Sequence, residues 1–291
     1  MPILSKRMKN VLLNRLVAKA TASHLGNVAA RPCFSAQDVY QVLRLSYRSY
    51  VTQGLCDLNR ESIYINKFLI SPRARAFMLE AGNTVIGGIT IVEDGELGLP
   101  LDSLYPAETR DFRKSRFKLA EVGSCCLDPK LFGSQLGPIV QDPLRLHAAL
   151  SLLKILHNYA VHRELSHLLI SVHPANVELF EFLGFHSFGP AKRNKMLGGA
   201  EVIPMIFAVN SYQENKSPKA LKEFFINSMY EKFTYSGMFR WNDRSLMEMA
   251  IQSPSLDRCI DELTSYHEAA GLGQLAFRAP SLRETFLTAT M

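Results

Sequence analysis

Residues 118–172 constrain the fold more tightly than any other part of this chain. "KLAEVGSCCLD" (118–128) reads as a strand, Asp142-Pro143 opens a long helix that runs to about His162, and "HLLISV" (167–172) reads as a buried strand. Asp is a good helix cap and Pro fits the first helical turn. Leu146, Ala149, Leu150, Leu153, Leu156 and Tyr159 recur at helical spacing. Two neighbouring strands joined through a crossover helix run parallel. A sheet containing such a unit belongs to the α/β classes, and the open end of the unit is where a phosphate lies against a helix N-terminus.

"HPANVELFEFLGF" (173–185) follows directly. Pro174 has no amide proton for a sheet ladder and ends the strand. Asn176 is placed to cap a short helix, Val177, Leu179, Phe180 and Leu183 form its apolar stripe, and Gly184 suits its C-terminus. "EVIPMIFAVN" (201–210) reads as a last strand. Upstream, Ser35 and Asp38 form a near capping box, and the helix they open carries Val39, Val42, Leu43, Leu45 and Tyr50. "RAFMLEAGNTVIGGITIVED" reads as a hairpin of 75–80 and 85–92.

The six cations Lys6, Arg7, Lys9, Arg15, Lys19 and Arg31 fall in the first 32 residues, which hold no acid, and the rest of the chain carries 27 basic and 27 acidic residues. A neutral body excludes a general nucleic-acid binder. "KRMKNVLLNRLVAKA" is helical by pattern, with Met8, Val11, Leu12, Leu16 and Ala20 near one face. It reads as a surface helix on its own domain, an interfacial membrane helix, a docking surface for an acidic partner, or a transit segment. Five scattered cysteines without CxxC spacing argue against structural zinc and disulfides and for a reducing cytoplasm. No apolar run approaches a membrane span. Three parts are expected: a basic helical arm (1–34), a catalytic domain (35–212) and a helical C-terminal extension (213–291).

The layout resembles the GNAT acyltransferase superfamily. More narrowly, "NKFLISPRARAFMLEAGNTVIGGITIVEDGELGLPLDSLYP", "LAEVGSCCLDP" and "SVHPANVELFEFLGFHSFGP" are similar to the long-chain N-acyl amino acid synthases of the FeeM type, relatives of the acyl-homoserine-lactone synthases. The resemblance covers roughly residues 35–212. It implies a GNAT fold: a mixed, mostly antiparallel sheet with a splay between two central parallel strands. It also implies transfer of a fatty acyl group from an acyl carrier protein thioester to the amine of an amino acid or related small amine. No bound cofactor or metal is implied; the acyl-phosphopantetheine thioester is a co-substrate.

The chemistry requires a base for the amine proton and a donor for the thioester oxygen. Glu121 aligns with the family glutamate in "AEV" and is the first candidate base; an ion pair with a sheet neighbour is its other reading. Simple alternation places Glu121, Gly123, Cys125 and Leu127 on one face. His173 is the second candidate base, or a histidine closing the strand end. The backbone amides around Cys126 and Leu127 are the candidate oxyanion donors. Ser124 and Cys125 are expected against the substrate, Cys125 as a small filler rather than an acyl-cysteine nucleophile. Arg48 is a candidate for the acceptor's carboxylate, or a solvent-facing helix arginine. Gly133, Gly137, Asn176 and Phe180 mark the expected phosphopantetheine region.

Three departures from the family pattern stand out. Gly123-Ser124 replaces Ser-Arg or similar. Asn176 and Phe180 occupy the late motif where relatives often have His and Tyr, so a tyrosine acid is absent there. The pyrophosphate loop Gln/Arg-x-x-Gly-x-Gly is absent from "FGSQLG". The missing loop and the basic arm favour a carrier protein, with its single phosphate, over coenzyme A. A thiolate leaves readily, so less need for an acid is expected. A lactone-signal synthase, an inactive acyl-binding GNAT domain and a small-acyl transferase are the alternatives.

Overall fold

The computed structural model describes residues 6–22, 28–133, 139, 142–212, 219–226 and 235–241, with isolated residues at 245, 258–259 and 261–262. Strands β1 (Val28–Pro32), β2 (Ala74–Ala81), β3 (Thr84–Glu93), β4 (Leu119–Leu127), β5 (His167–Val172), β6 (His186–Ser187), β7 (Lys192–Asn194) and β8 (Ala200–Ala208) form one sheet. Its order is β1-β2-β3-β4-β5-β8-β6, with β7 also on β8. Every pair is antiparallel except β4–β5. The expected mixed sheet with a central parallel pair is present.

Helix α5 (Pro143–His162) is the crossover between those parallel strands. Asp142 Oδ1 accepts from the amides of Leu144 and Arg145, so the cap is made. Leu146, Leu150, Leu152, Leu153 and Leu156 pack against Ile89, Ala120, Val122 and Ile170, forming the main core. α2 (Ala36–Thr52) covers the opposite face through Val39, Val42 and Leu43, and its capping box of Ser35 and Asp38 is complete. α3 (Pro106–Lys114) and the 3₁₀ turn Pro100–Ser103, both unforeseen, share that face near β4.

Helix α1 (Lys6–Ala22) buries Leu13, Val17 and Ala20, with Leu16 half-buried, and leaves Met8, Val11 and Leu12 exposed. The expected stripe was thus rotated. Ala20 and Val17 enter the core beside α5, and the Ala20 carbonyl meets His147 Nδ1 at 2.5 Å. β1, from the end of the basic arm, forms a sheet edge against β2. Arg31 there is held by Asp38 and Glu80. Of the expected extension, α7 (Lys219–Ile226) is described; its Leu221 and Phe225 are buried in the same core. The expected boundary at 213–217 lies outside the described residues.

The short α4 (Pro129–Phe132) follows β4, and α6 (Val177–Phe182) follows β5 after a 3₁₀ turn, Pro174–Asn176. Asn176 does not cap α6 through its side chain; its Oδ1 accepts the Ile139 amide at 2.9 Å. His173 caps the 3₁₀ turn instead.

β3 approaches α2 closely at Gly88, where an added Cβ would lie 2.8 Å from Val42 Cγ1. Gly88→Ala is expected to cost about 1–3 kcal/mol through overpacking. Because Val42 supplies the clash, Gly88→Ala with Val42→Ala costs less than the sum of the two single substitutions in urea unfolding.

Candidate active site

The β4–β5 ladder runs from Leu119↔His167 to Val122↔Ile170 and stops. Both strands continue, β4 to Leu127 and β5 to Val172. Each stays paired on its outer side, β4 with β3 as far as Gly87↔Leu127 and β5 with β8 as far as Val172↔Ile203. The inner edge of β4 from Gly123 to Leu127 therefore has no strand partner. A cavity of about 240 Å³ opens there. It is lined from the α2 face by Ser49, Tyr50 and Tyr64, and from the α5 face by Phe132, Arg145 and Phe180. The parted strands make a passage through the sheet.

A β-bulge shapes this edge. Gly88 pairs with Cys126 and Thr90 with Gly123, so Ile89 alone opposes Ser124 and Cys125. Ser124 takes a left-handed φ of +44°, a strained position for a residue with a Cβ. The bulge resets the alternation. Ser124 lines the cavity together with Tyr50 of α2, and Cys126 Sγ lies 3.3 Å from Ser46 Oγ of the same helix. Leu127 points to the α5 face, where it reaches the space beside Gly87 and Leu152, and Cys125 feels Arg145 of α5. Cys126 rather than Cys125 shares a face with Glu121, which corrects the simple alternation.

Glu121 is buried and lines the cavity. Its Oε2 accepts the Leu101 amide at 2.7 Å. Burial pushes its carboxyl up to about 8; the Leu101 bond opposes this and the Asp102 charge adds to it. No cation pairs with Glu121 in the structure, so its ion-pair reading has no support among the described residues. The Leu101 amide is held by a clamp: Arg113 bridges Asp94 and Asp102, each within 2.7 Å, and Asp102 Oδ2 accepts the Leu99 amide.

The other expected residues separate. Cys126, Leu127, Ser124, Cys125, His173, Gly133, Asn176 and Phe180 line the cavity with Glu121. Arg48 is outside the lining, its Nη2 3.5 Å from Asp128 Oδ2. Gly137 lies outside the described residues. His173 Nδ1 accepts the Ala175 amide at 3.2 Å, so a neutral ring carries its proton on Nε2 and presents a donor. Burial pushes the Cys126 thiol up to about 12, which leaves it protonated and a poor nucleophile, whereas Cys125 is exposed.

Sequence reading missed three contributors: the Leu101 amide, the Tyr50–Tyr64 pair and Arg145. The two tyrosine rings meet edge to face at 4.7 Å. Tyr50 was visible only as one residue of a helical stripe. Arg145 was within reach of sequence, since it falls in the first turn of the crossover helix opened by Asp142-Pro143. Among the described residues, no three His, Cys, Asp or Glu side chains gather as a metal site, and no helix is long and apolar enough to cross a membrane.

The parted parallel strands, the bulge and the buried carboxylate define an acyltransferase of the GNAT fold. The model of one family, N-acyl amino acid synthase FeeM, matches residues 41–207, and the chain belongs to that family. The solved structure of FeeM, an N-acyl amino acid synthase from uncultured soil microbes, is 27% identical over 64% of this chain and 93% of that one, with a TM-score of 0.55. The AHL synthase LasI is 14% identical, over 65% and 92%, with a TM-score of 0.45. Escherichia coli ElaA is 11% identical, over 62% and 99%, with a TM-score of 0.40. No curated protein matches the chain.

A carboxyl raised in the native state binds its proton more tightly folded than unfolded, so its ionisation weakens the fold. Native stability is therefore expected to fall as pH rises from about 4.5 to about 8. Glu121→Gln, which keeps an acceptor for Leu101, removes that contribution. In urea unfolding its gain over the parent protein grows across this window and levels off above it.

Proposed function

We propose that this protein transfers a long-chain fatty acyl group from an acyl carrier protein thioester to the amine of an amino acid or related small amine. The observation that carries this reading is the open inner edge of β4 beside buried Glu121. The thioester arm enters from the α5 face, past Phe132, Gly133, Asn176 and Phe180, with its phosphate near Arg145 and the N-terminus of α5. The acceptor comes from the α2 face.

In this reaction Glu121, once ionised, takes the proton from the attacking nitrogen. The amides about Cys126 and Leu127, on the unpaired edge, donate to the thioester oxygen as it gains charge. His173, at the mouth, offers a donor to the arm. Ser124 and Cys125 form the wall against the acyl group. The family to which the chain belongs supports N-acylation. Support for the carrier-bound donor comes from the missing diphosphate loop and from an acid-free N-terminal segment whose cations, apart from the Arg31 that Asp38 and Glu80 hold, would draw an acidic carrier. The same segment suits transient contact with a membrane surface, and the reaction is assigned to the cytoplasm.

The test is incubation with acyl carrier thioesters of several chain lengths and a pool of amino acids, with N-acyl products read by mass. Products from carrier thioesters in preference to acyl-coenzyme A support the proposal. Tight acyl binding with no product from any amine assigns the chain to the inactive binding class. Turnover is expected to rise with pH through about 8, as Glu121 ionises. Glu121→Gln should lower kcat by about 10²–10⁴-fold, the range for loss of a general base, and abolish that rise. An unchanged rate removes Glu121 from the mechanism.

A further inference from the structure

We propose that the acceptor is an amine with no free carboxylate on the carbon that bears its nitrogen, such as an amino alcohol or an amino acid amide. The inference rests on the acyl-transfer reading above and narrows its acceptor. It starts from Arg48, the arginine expected to receive an acceptor's carboxylate. Arg48 lies outside the cavity lining, with Asp128 as its partner.

The charges around the cavity are unevenly placed. Its lining holds two acids, Glu121 and Glu201, and among the described residues one arginine, Arg145. Glu201 stands opposite Arg193 in the β7–β8 register, and Arg193 is not in the lining. Arg145 belongs to the first turn of α5, on the side assigned to the thioester arm. The α2 side, assigned to the acceptor, is lined by Glu121, Ser49, Tyr50, Gln53 and Tyr64, with no lysine or arginine among the described residues. Cations elsewhere on that side of the sheet are engaged: Arg113 by Asp94 and Asp102, Lys192 by the Leu104 carbonyl. Lys67 holds its Nζ 5.5 Å from the centre of the Phe68 ring and is not a lining residue.

Two neutral donors on this side are also spent. The Tyr64 hydroxyl donates to the Met196 carbonyl at 3.2 Å, and Gln53 Nε2 donates to the Ser49 carbonyl and hydroxyl at 3.1 and 2.8 Å. Glu121 is the opposite case. Its Oε2 accepts the Leu101 amide, and its Oε1 accepts no hydrogen bond among the described residues. The α2 side thus offers an acceptor to a ligand's N–H or O–H and no cation to an anion.

The position of the base turns this into a choice of substrate. A group that takes a proton from the attacking nitrogen stands beside that nitrogen. In an α-amino acid the carboxylate is one carbon away, so it comes to rest beside ionised Glu121. Two like charges then share a buried space, each raising the proton affinity of the other. Burial and the Asp102 charge already hold the Glu121 carboxyl at about 8. A further anion pushes it higher and leaves less base to act. A hydroxyl or carboxamide on the same carbon brings no charge and can donate to Glu121 Oε1.

The experiment uses the full chain and an acyl carrier thioester with three matched acceptors: leucine, leucinamide and leucinol, together with their phenylalanine and serine counterparts. The amide has nearly the shape of the amino acid without its charge, and the alcohol has an amine of similar basicity. Rates are compared as kcat/KM for the unprotonated amine. Both neutral acceptors are expected to exceed the matching amino acid by about 10-fold or more, the scale of an uncompensated buried charge. Gln53→Lys, which adds a cation to the α2 wall, is expected to cut that preference by at least about 5-fold, as a charge-assisted contact would. Thermal unfolding checks that this variant keeps its fold. Amino acids used as well as or better than their neutral counterparts overturn the proposal, and so does a preference that a folded Gln53→Lys leaves unmoved. If neither these amines nor the pool of amino acids yields any product, the acyl-transfer reading itself fails.

Discussion

Backbone hydrogen bonds are obligatory in a folded interior, and the site exists because one ladder is left unfinished. β4 and β5 part after Val122 and Ile170, at the centre of the sheet. The break is tolerated because each strand is still held on its outer side, by β3 and by β8, almost to its end. α5 spans the seam on one face and packs against residues of both sides, including Val122 and Ile170. The amides that the seam releases are the ones available to a ligand's oxygen, so the stability of the sheet and the reactivity of its centre are set by the same register.

The parts of this arrangement that were legible in the sequence are those fixed by local periodicity and chain order. The parallel pair follows from a strand, a helix and a strand in a crossover, and its ends at Leu119–Leu127, Pro143–His162 and His167–Val172 lie within a residue or so of the expected ones. Ser35 and Asp38 form the box their spacing announces. Glu121, read from a family motif, does sit buried in the cavity. What failed needed tertiary information. The stripe of α1 was misplaced by its many apolar residues, because α5 selects Leu13, Val17 and Ala20 over Met8, Val11 and Leu12. Asn176 looks like a cap from its spacing, yet its side chain is taken by the Ile139 amide, 37 residues away.

The bulge is the most instructive case. A strict two-residue period puts Cys125 beside Glu121, and nothing in "EVGSCCL" marks the extra residue. The register with β3 creates it, by setting Ile89 against both Ser124 and Cys125. One left-handed serine then moves every later side chain of β4 to the other face. The clamp beneath Glu121 is hidden for a related reason. Asp94, Asp102 and Arg113 are unremarkable surface residues in sequence, and only the fold brings them around the loop whose amide meets the carboxylate.

Burial gives the site its chemical character. In water a carboxylate is too weak a base for an ammonium-derived proton and a thiol is an ample leaving group. Inside the seam both properties change in the same sense, because each charged form loses its hydration. Glu121 keeps its proton to a pH near 8, and the buried Cys126 thiol keeps its own to about 12. A reaction that begins with a neutral amine and a neutral thioester, and ends with a neutral amide and a neutral thiol, is favoured in such a place only if no separated charge has to persist between them. The groups on the α2 face fit that demand. In the proposed reaction a carboxylate beside a polar amide receives the proton, and the unpaired edge of β4 shares the charge that rests briefly on oxygen.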